Sequence, residues 1–115
     1  MKITILGSIP SKSNGYKVGG KNFYKDKKLV DYERSFALQL LQYTKQKCIE
    51  NDFSIEVDVY YDSRRADLDN CFKILFDSLQ KNELIKNDRY CQRIVANRHL
   101  DKLNPRVEFV LTELC

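Results

Sequence analysis

The ten residues Arg64-Arg65-Ala66-Asp67-Leu68-Asp69-Asn70-Cys71-Phe72-Lys73 hold two arginines, two carboxylates two positions apart and a lysine one helical turn beyond the second acid. Carboxylates are hard oxygen ligands for a divalent cation, and arginine and lysine are natural counter-charges for a phosphate chain. Gathered in so short a stretch, they imply metal-assisted chemistry on a phosphodiester. A third acid, Asp88, follows Asp69 by 19 residues in Ile85-Lys86-Asn87-Asp88-Arg89-Tyr90.

The local conformation decides what Asp67 and Asp69 can do. In an extended segment, residues two apart point the same way and their carboxylates converge. Inside a helix the same spacing turns them about 200° apart. Helix capping accounts for one aspartate at such a position but not for two behind a pair of arginines. Lys73 is placed either for a surface ion pair with Asp69 or to neutralise charge on a phosphorane. Asn70 suits a cap or an outer hydrogen bond to a metal-bound carboxylate. Asp88 alone reads as a turn residue, and gains meaning only if the 82–88 loop returns along the helix to the Asp69 end of the sheet. Then Asp67, Asp69 and Asp88 would share one or two Mg²⁺ ions.

Other chemistries fit poorly. Cys71 and Phe72 fall where a calcium loop needs a ligand and a glycine. The glycines at 15, 19 and 20 do not space as a dinucleotide or P-loop set, so no nucleotide cofactor is expected. The single histidine, His99, has no cysteine or serine partner for a nucleophilic triad. The four cysteines form no C-x-x-C pair and read as free thiols.

The chain has 115 residues, 43% hydrophobic and 11% aromatic, enough for one domain over 1–115 with a packed core. No run is long enough to span a membrane, and a soluble cytoplasmic protein is expected. The net charge is +4, and its basic excess is local. Residues 11–30 hold six lysines against one acid, a surplus of five, so the other 95 residues net to −1. This glycine-containing arm also carries Tyr16, Phe23 and Tyr24, a composition suited to a nucleic-acid backbone as well as to a solvated loop. Lys12, Lys17 and Lys21 are its candidate phosphate contacts, with Arg64 and Arg65 beside the acids.

Elements follow from periodicity. Residues 2–9 predict a strand, 11–28 a loop with a short extended piece near Phe23-Tyr24, and 31–50 a helix with Tyr32, Phe36, Leu40, Tyr43 and Ile49 on one stripe. Residues 53–61 alternate as a half-buried strand, and 68–81 predict a second helix. Residues 90–100 and 106–113 are two further strands, most simply a hairpin. The order β-α-β-α-β-β gives an α+β fold: one mixed sheet of about four strands with two helices packed on one face.

The run Arg-Arg-x-Asp-Leu-Asp-Asn-x-x-Lys, with an aspartate 19 residues after its second acid, resembles the RusA-type Holliday junction resolvases. The stretch from Pro10 to Asn14 is similar to that family's Pro-Ser-x-Asn element after its first strand. The resemblance implies a small homodimeric endonuclease of phage or prophage type that cuts four-way DNA junctions with Mg²⁺, or Mn²⁺ in its place. It implies that Asp67, Asp69 and Asp88 hold the metal, that Lys73 is the essential lysine, and that Asn14 contacts DNA. Ala66 replaces an often basic position, and the 11–28 arm is longer and richer in lysine. Two paired nicks from a chain with one set of acids call for a two-fold dimer. The residues also admit a metal nuclease for other branched DNA or for RNA, a non-catalytic basic DNA-binding protein, or a small interaction protein whose lysines serve solubility.

Overall fold

The computed structural model describes residues 1–10, 16–19, 22–25, 27–44, 47–63 and 68–114. The strands are β1 (Ile3–Leu6), β2 (Tyr16–Gly19), β3 (Asn22–Lys25), β4 (Phe53–Tyr61), β5 (Cys91–Leu100) and β6 (Arg106–Glu113). The helices are α1 (Lys27–Leu40) and α2 (Phe72–Lys81), the second entered through a 3₁₀ turn at Asp69–Cys71. The fold is α+β: a mixed four-stranded sheet in the order β1-β6-β4-β5, with a separate antiparallel ribbon of β2 and β3. That ribbon replaces the predicted loop with one short extended piece.

β4 organises the core because its alternation is strict. Phe53, Ile55, Val57, Val59 and Tyr61 are buried, while Glu56 is exposed and Ser54, Asp58 and Tyr60 are only partly covered. Burying one such side chain contributes about 1.5–3 kcal/mol, so a charge at Val57 would break the strand's packing. α1 buries Leu29, Tyr32 and Phe36, a spacing of three and four residues that keeps to one helix face. Phe36 stacks on Phe109 of β6 at 6.3 Å, and α1 packs against β1, so this helix covers the β1-β6 half. α2 buries Ile74, Leu75 and Leu79 and connects β4 to β5, covering the other half. An ion pair from Lys81 to Glu33 ties the two helices together.

Three expectations fail, each for a tertiary reason. The first helix starts at Lys27 and stops at Leu40 rather than running to residue 50. Its end tightens into turns with bonds from Leu41, Gln42 and Tyr43 to carbonyls three residues back. Tyr43 then serves β1, and Ile49 joins the 82–86 loop through Ile49 N–H to Leu84 (3.0 Å) and Lys86 N–H to the Ile49 carbonyl (2.8 Å). Secondly, residues 90–100 and 106–113 do not form a hairpin. β5 runs parallel to β4, pairing Ile55 with Ile94 and Tyr61 with Leu100, while β6 inserts antiparallel between β1 and β4. The 101–105 connection crosses the end of β4: Asp101 N–H donates to the Tyr61 carbonyl at 2.7 Å, and Gly7 N–H donates to the Pro105 carbonyl at 2.9 Å. Gly7 has φ +110°, which only glycine adopts without strain.

Thirdly, the 82–88 loop does not return along the helix. Since β4 and β5 are parallel, α2 runs back over the sheet and β5 begins beside Phe53, at the end opposite Tyr61. This is a β-α-β crossover, and it fixes where the acids lie.

The outer sheet face is polar. Arg106 donates to Asp101 (2.9 Å) and Glu108 (2.7 Å) and lies 3.7 Å over the Tyr60 ring. His99 stacks on Tyr60 and approaches Asp58 to 2.9 Å.

Candidate functional site

Asp69 opens the 3₁₀ turn that leads into α2, at the C-terminal end of β4. Its carboxylate is exposed, and no side-chain cap closes either the 3₁₀ turn or α2. The capping explanation therefore does not account for this aspartate. Lys73, one turn on, is exposed, and no ion pair joins it to Asp69 among the described residues. Asn70 lies in the same turn. Asp67, Arg64, Arg65, Lys12, Asn14 and Lys21 lie outside the described residues, and Lys17 sits in β2, paired in register with Tyr24.

The turn carrying Asp69 has a rigid floor. Cys71 is buried and its thiol donates to the Leu68 carbonyl at 3.0 Å. Burial pushes the Cys71 thiol up, against a counter-pull from Tyr61 beside it. Burial likewise pushes the Tyr32 hydroxyl well above its usual value, with Cys71 and Tyr61 adding to the effect. These groups stay protonated and act as packing, so Cys71 is no nucleophile.

Asp88 begins a second 3₁₀ turn, Asp88–Tyr90, immediately before β5. Its N–H donates to Gln80 Oε1 at 3.0 Å, which fastens it to the C-terminal end of α2. Asn87 caps the turn by accepting from Arg89 N–H at 2.9 Å. Arg89 lies over the Tyr90 ring and donates to its hydroxyl, which draws that hydroxyl below its usual range. Gln80 was not singled out from the sequence, since nothing local ties a helix glutamine to an aspartate eight residues later.

The two ends are far apart within one chain. Ten residues of α2 span about 15 Å and nine of β4 span about 26 Å. One cation with oxygen ligands near 2.1 Å cannot bridge that interval. Among the described residues no three acids, histidines or cysteines gather in a metal-binding group. Neither the Asp69 nor the Asp88 carboxylate has a hydrogen bond or ion pair among them. Both oxygen donors are thus uncommitted, as hard-cation ligands must be.

Acids at both ends of the crossover, with a lysine and two arginines in the same stretch of sequence, are the groups that phosphodiester cleavage uses. The family described as endodeoxyribonuclease RusA matches residues 8–112. A curated relative, the crossover junction endodeoxyribonuclease RusA of Aquifex aeolicus (strain VF5), is 30% identical over 101 residues, covering 84% of this chain and 79% of the relative. The chain belongs to the RusA endodeoxyribonuclease family. No helix among the described residues is long and apolar enough to cross a membrane.

Proposed function

We propose that this protein resolves four-way DNA junctions by paired nicks, using Mg²⁺ (or Mn²⁺) in a two-fold homodimer of a chain that forms one domain over 1–115. Family membership supports the junction-cleaving activity. The observation that carries the dimer is the parallel register of β4 and β5, which separates Asp69 from Asp88 in one chain. A two-fold partner removes the difficulty by presenting its Asp88 to the Asp67-Asp69 end of the first subunit, and the reverse. The ligand set is then Asp67 and Asp69 from one subunit and Asp88 from the other.

Carboxylates without histidine or thiolate favour Mg²⁺ over zinc. A bound Mg²⁺ would supply Lewis acidity and a water of lowered pKa. Lys73, exposed one turn after Asp69, stabilises the negative charge that grows on the phosphorane. Asn70 orients a carboxylate of the ligand set, and Gln80 holds the Asp88 main chain in place. Arg64, Arg65, Lys12, Asn14, Lys17 and Lys21 take flanking phosphates, so binding weakens steeply with salt.

The test compares cleavage of junction, flap and linear duplex of matched sequence, with Mg²⁺ and with EDTA. The wild type should cut the junction only with metal. Asp88→Asn should lose at least about a hundredfold in cleavage, the loss expected even for an outer partner of a metal ligand, while still binding the junction. Cleavage by Asp88→Asn at the wild-type rate would refute the ligand assignment, and EDTA-resistant cleavage would refute the metal. Equal cutting of flap and junction would move the substrate to branched DNA in general.

A further inference from the structure

Two arginines of this chain sit in opposite electrostatic settings. Arg106, on the outer sheet face, donates to Asp101 and Glu108, so its charge is neutralised within the chain. Arg89 directly follows Asp88, is exposed, and has no carboxylate partner among the described residues. Its guanidinium instead donates to the Tyr90 hydroxyl at 3.1 Å and lies 5.0 Å from the centre of the Tyr90 ring. A guanidinium carries five N–H donors, so most of these stay available to an anion. Lys86, two residues before Asp88, is exposed and also lacks an acid partner among the described residues.

The Arg89 guanidinium is also held in place. Its turn is capped by Asn87 and tied to α2 through Gln80. Tyr90 packs against the core, which makes its hydroxyl a fixed acceptor. An arginine tethered in this way loses little rotamer freedom on meeting an anion, and its planar fork matches two phosphate oxygens. A surface arginine that serves only solubility needs no such tether. The cleft that Tyr90 shares with Asn51, Asp52, Glu113 and Leu114 contains two acids and repels a phosphate, which leaves Arg89 as the anion-binding group of the turn.

We infer that Arg89, held by Tyr90, grips the backbone phosphate next to the scissile one on the DNA strand that is cut beside Asp88. The inference rests on the reading of Asp88 as a metal-binding acid. A metal at Asp88 brings the scissile phosphate to this turn. Phosphates recur about every 3.4 Å of rise along a DNA strand, and neighbouring Cα atoms are about 3.8 Å apart, so a long side chain at position 89 reaches the next phosphate. Tyr90 is a positioning residue, acting through Arg89 rather than on the DNA. A backbone contact carries no sequence information, so it strengthens binding to every junction alike. It is made equally before and during cleavage, so it acts on KM and leaves kcat unchanged.

The test is the salt dependence of four-way junction binding, measured in EDTA on the full chain. The slope of log K against log salt counts neutralised phosphates, at about 0.9 per contact on duplex DNA. Arg89→Gln should lower that slope by about 0.9 and weaken binding roughly tenfold at low salt. With Mg²⁺ it should raise KM for junction cleavage at unchanged kcat. Arg89→Lys returns the charge and should restore the slope, while binding less tightly than the wild type because an ammonium has no fork. Tyr90→Phe should keep the slope and bind with an affinity between those of the wild type and Arg89→Gln. Arg106→Gln, which changes an arginine already paired, should leave both slope and affinity unaltered. Should Arg89→Gln fold poorly by circular dichroism, Arg89→Met, which keeps an apolar stem on the Tyr90 ring, is read in its place. A wild-type slope without the Arg89 charge, or a slope that Arg89→Lys fails to restore, overturns the phosphate contact while leaving the nuclease reading intact. Cleavage by Asp88→Asn at the wild-type rate is the separate failure, since it removes the acid on which the inference rests.

Discussion

At β1 two side chains, Tyr43 and Gln39, do the work of a neighbouring strand, each satisfying both main-chain groups of one residue. β5, at the opposite edge of the sheet, is more than twice as long. Sealing protects an edge where no neighbour is wanted, and an edge left open is available for pairing. β5 begins immediately after the turn that opens with Asp88, an acid held to the end of α2 by Gln80 and separated from Asp69 by the crossover.

Unsealing β1 sharpens this contrast. Tyr43→Phe removes one hydroxyl and leaves an amide and a carbonyl of a partly buried strand without a partner. Each group left so costs about 1–3 kcal/mol when buried, and urea unfolding should show a loss in that range. Gln39→Ala exposes its strand groups to water and should cost less, about 0.5–1.5 kcal/mol. Both variants should form species larger than the wild type in concentration-dependent sedimentation, because the β1 edge is now open. Unchanged stability in both would mean that these side chains only decorate the edge.

The smallest effect lies on the outer face and should be indifferent to either edge. Arg106 holds the Asp101 and Glu108 carboxyls below their usual range, chiefly by direct hydrogen bonds. Depressed carboxyls contribute stability above their unfolded pKa values, near 4, and that contribution is lost as pH falls through the lower folded values. Wild-type stability should therefore decline from about pH 5 downward, more steeply than that of Arg106→Leu. Exposure to solvent keeps the difference slight and salt-sensitive. Parallel pH profiles for the two proteins would show that the pairs contribute nothing.

Much of this architecture is legible in local pattern. The period of two over 53–61 and the apolar face of 68–81 correspond to β4 and α2 because both segments bury one face against the same core. The helix expected to reach residue 50 fails where tertiary contacts win: Tyr43, Cys48 and Ile49 continue the apolar stripe, yet Tyr43 is taken by β1 and Ile49 by the 82–86 loop. β5 carries a faint sign of its edge position, since Gln92, Arg93, Asn97, Arg98 and His99 spoil alternation on both faces. The motif from Arg64 to Lys73 lies within residues 8–112, which the family model matches. The distance from Asp69 to Asp88 was not legible, because it turns on whether β5 runs parallel or antiparallel to β4. No local pattern specifies that choice.

The central claim, that each site is completed by the second subunit, is tested most directly by mixing two inactive proteins. Asp69→Asn and Asp88→Asn chains, co-expressed with different tags, are purified as the heterodimer and given a four-way junction with Mg²⁺. One composite site then lacks both acids and the other keeps both. The account predicts that the heterodimer nicks one strand at a rate near that of a single wild-type site, while each parent homodimer is inactive. A heterodimer as inactive as its parents would contradict it.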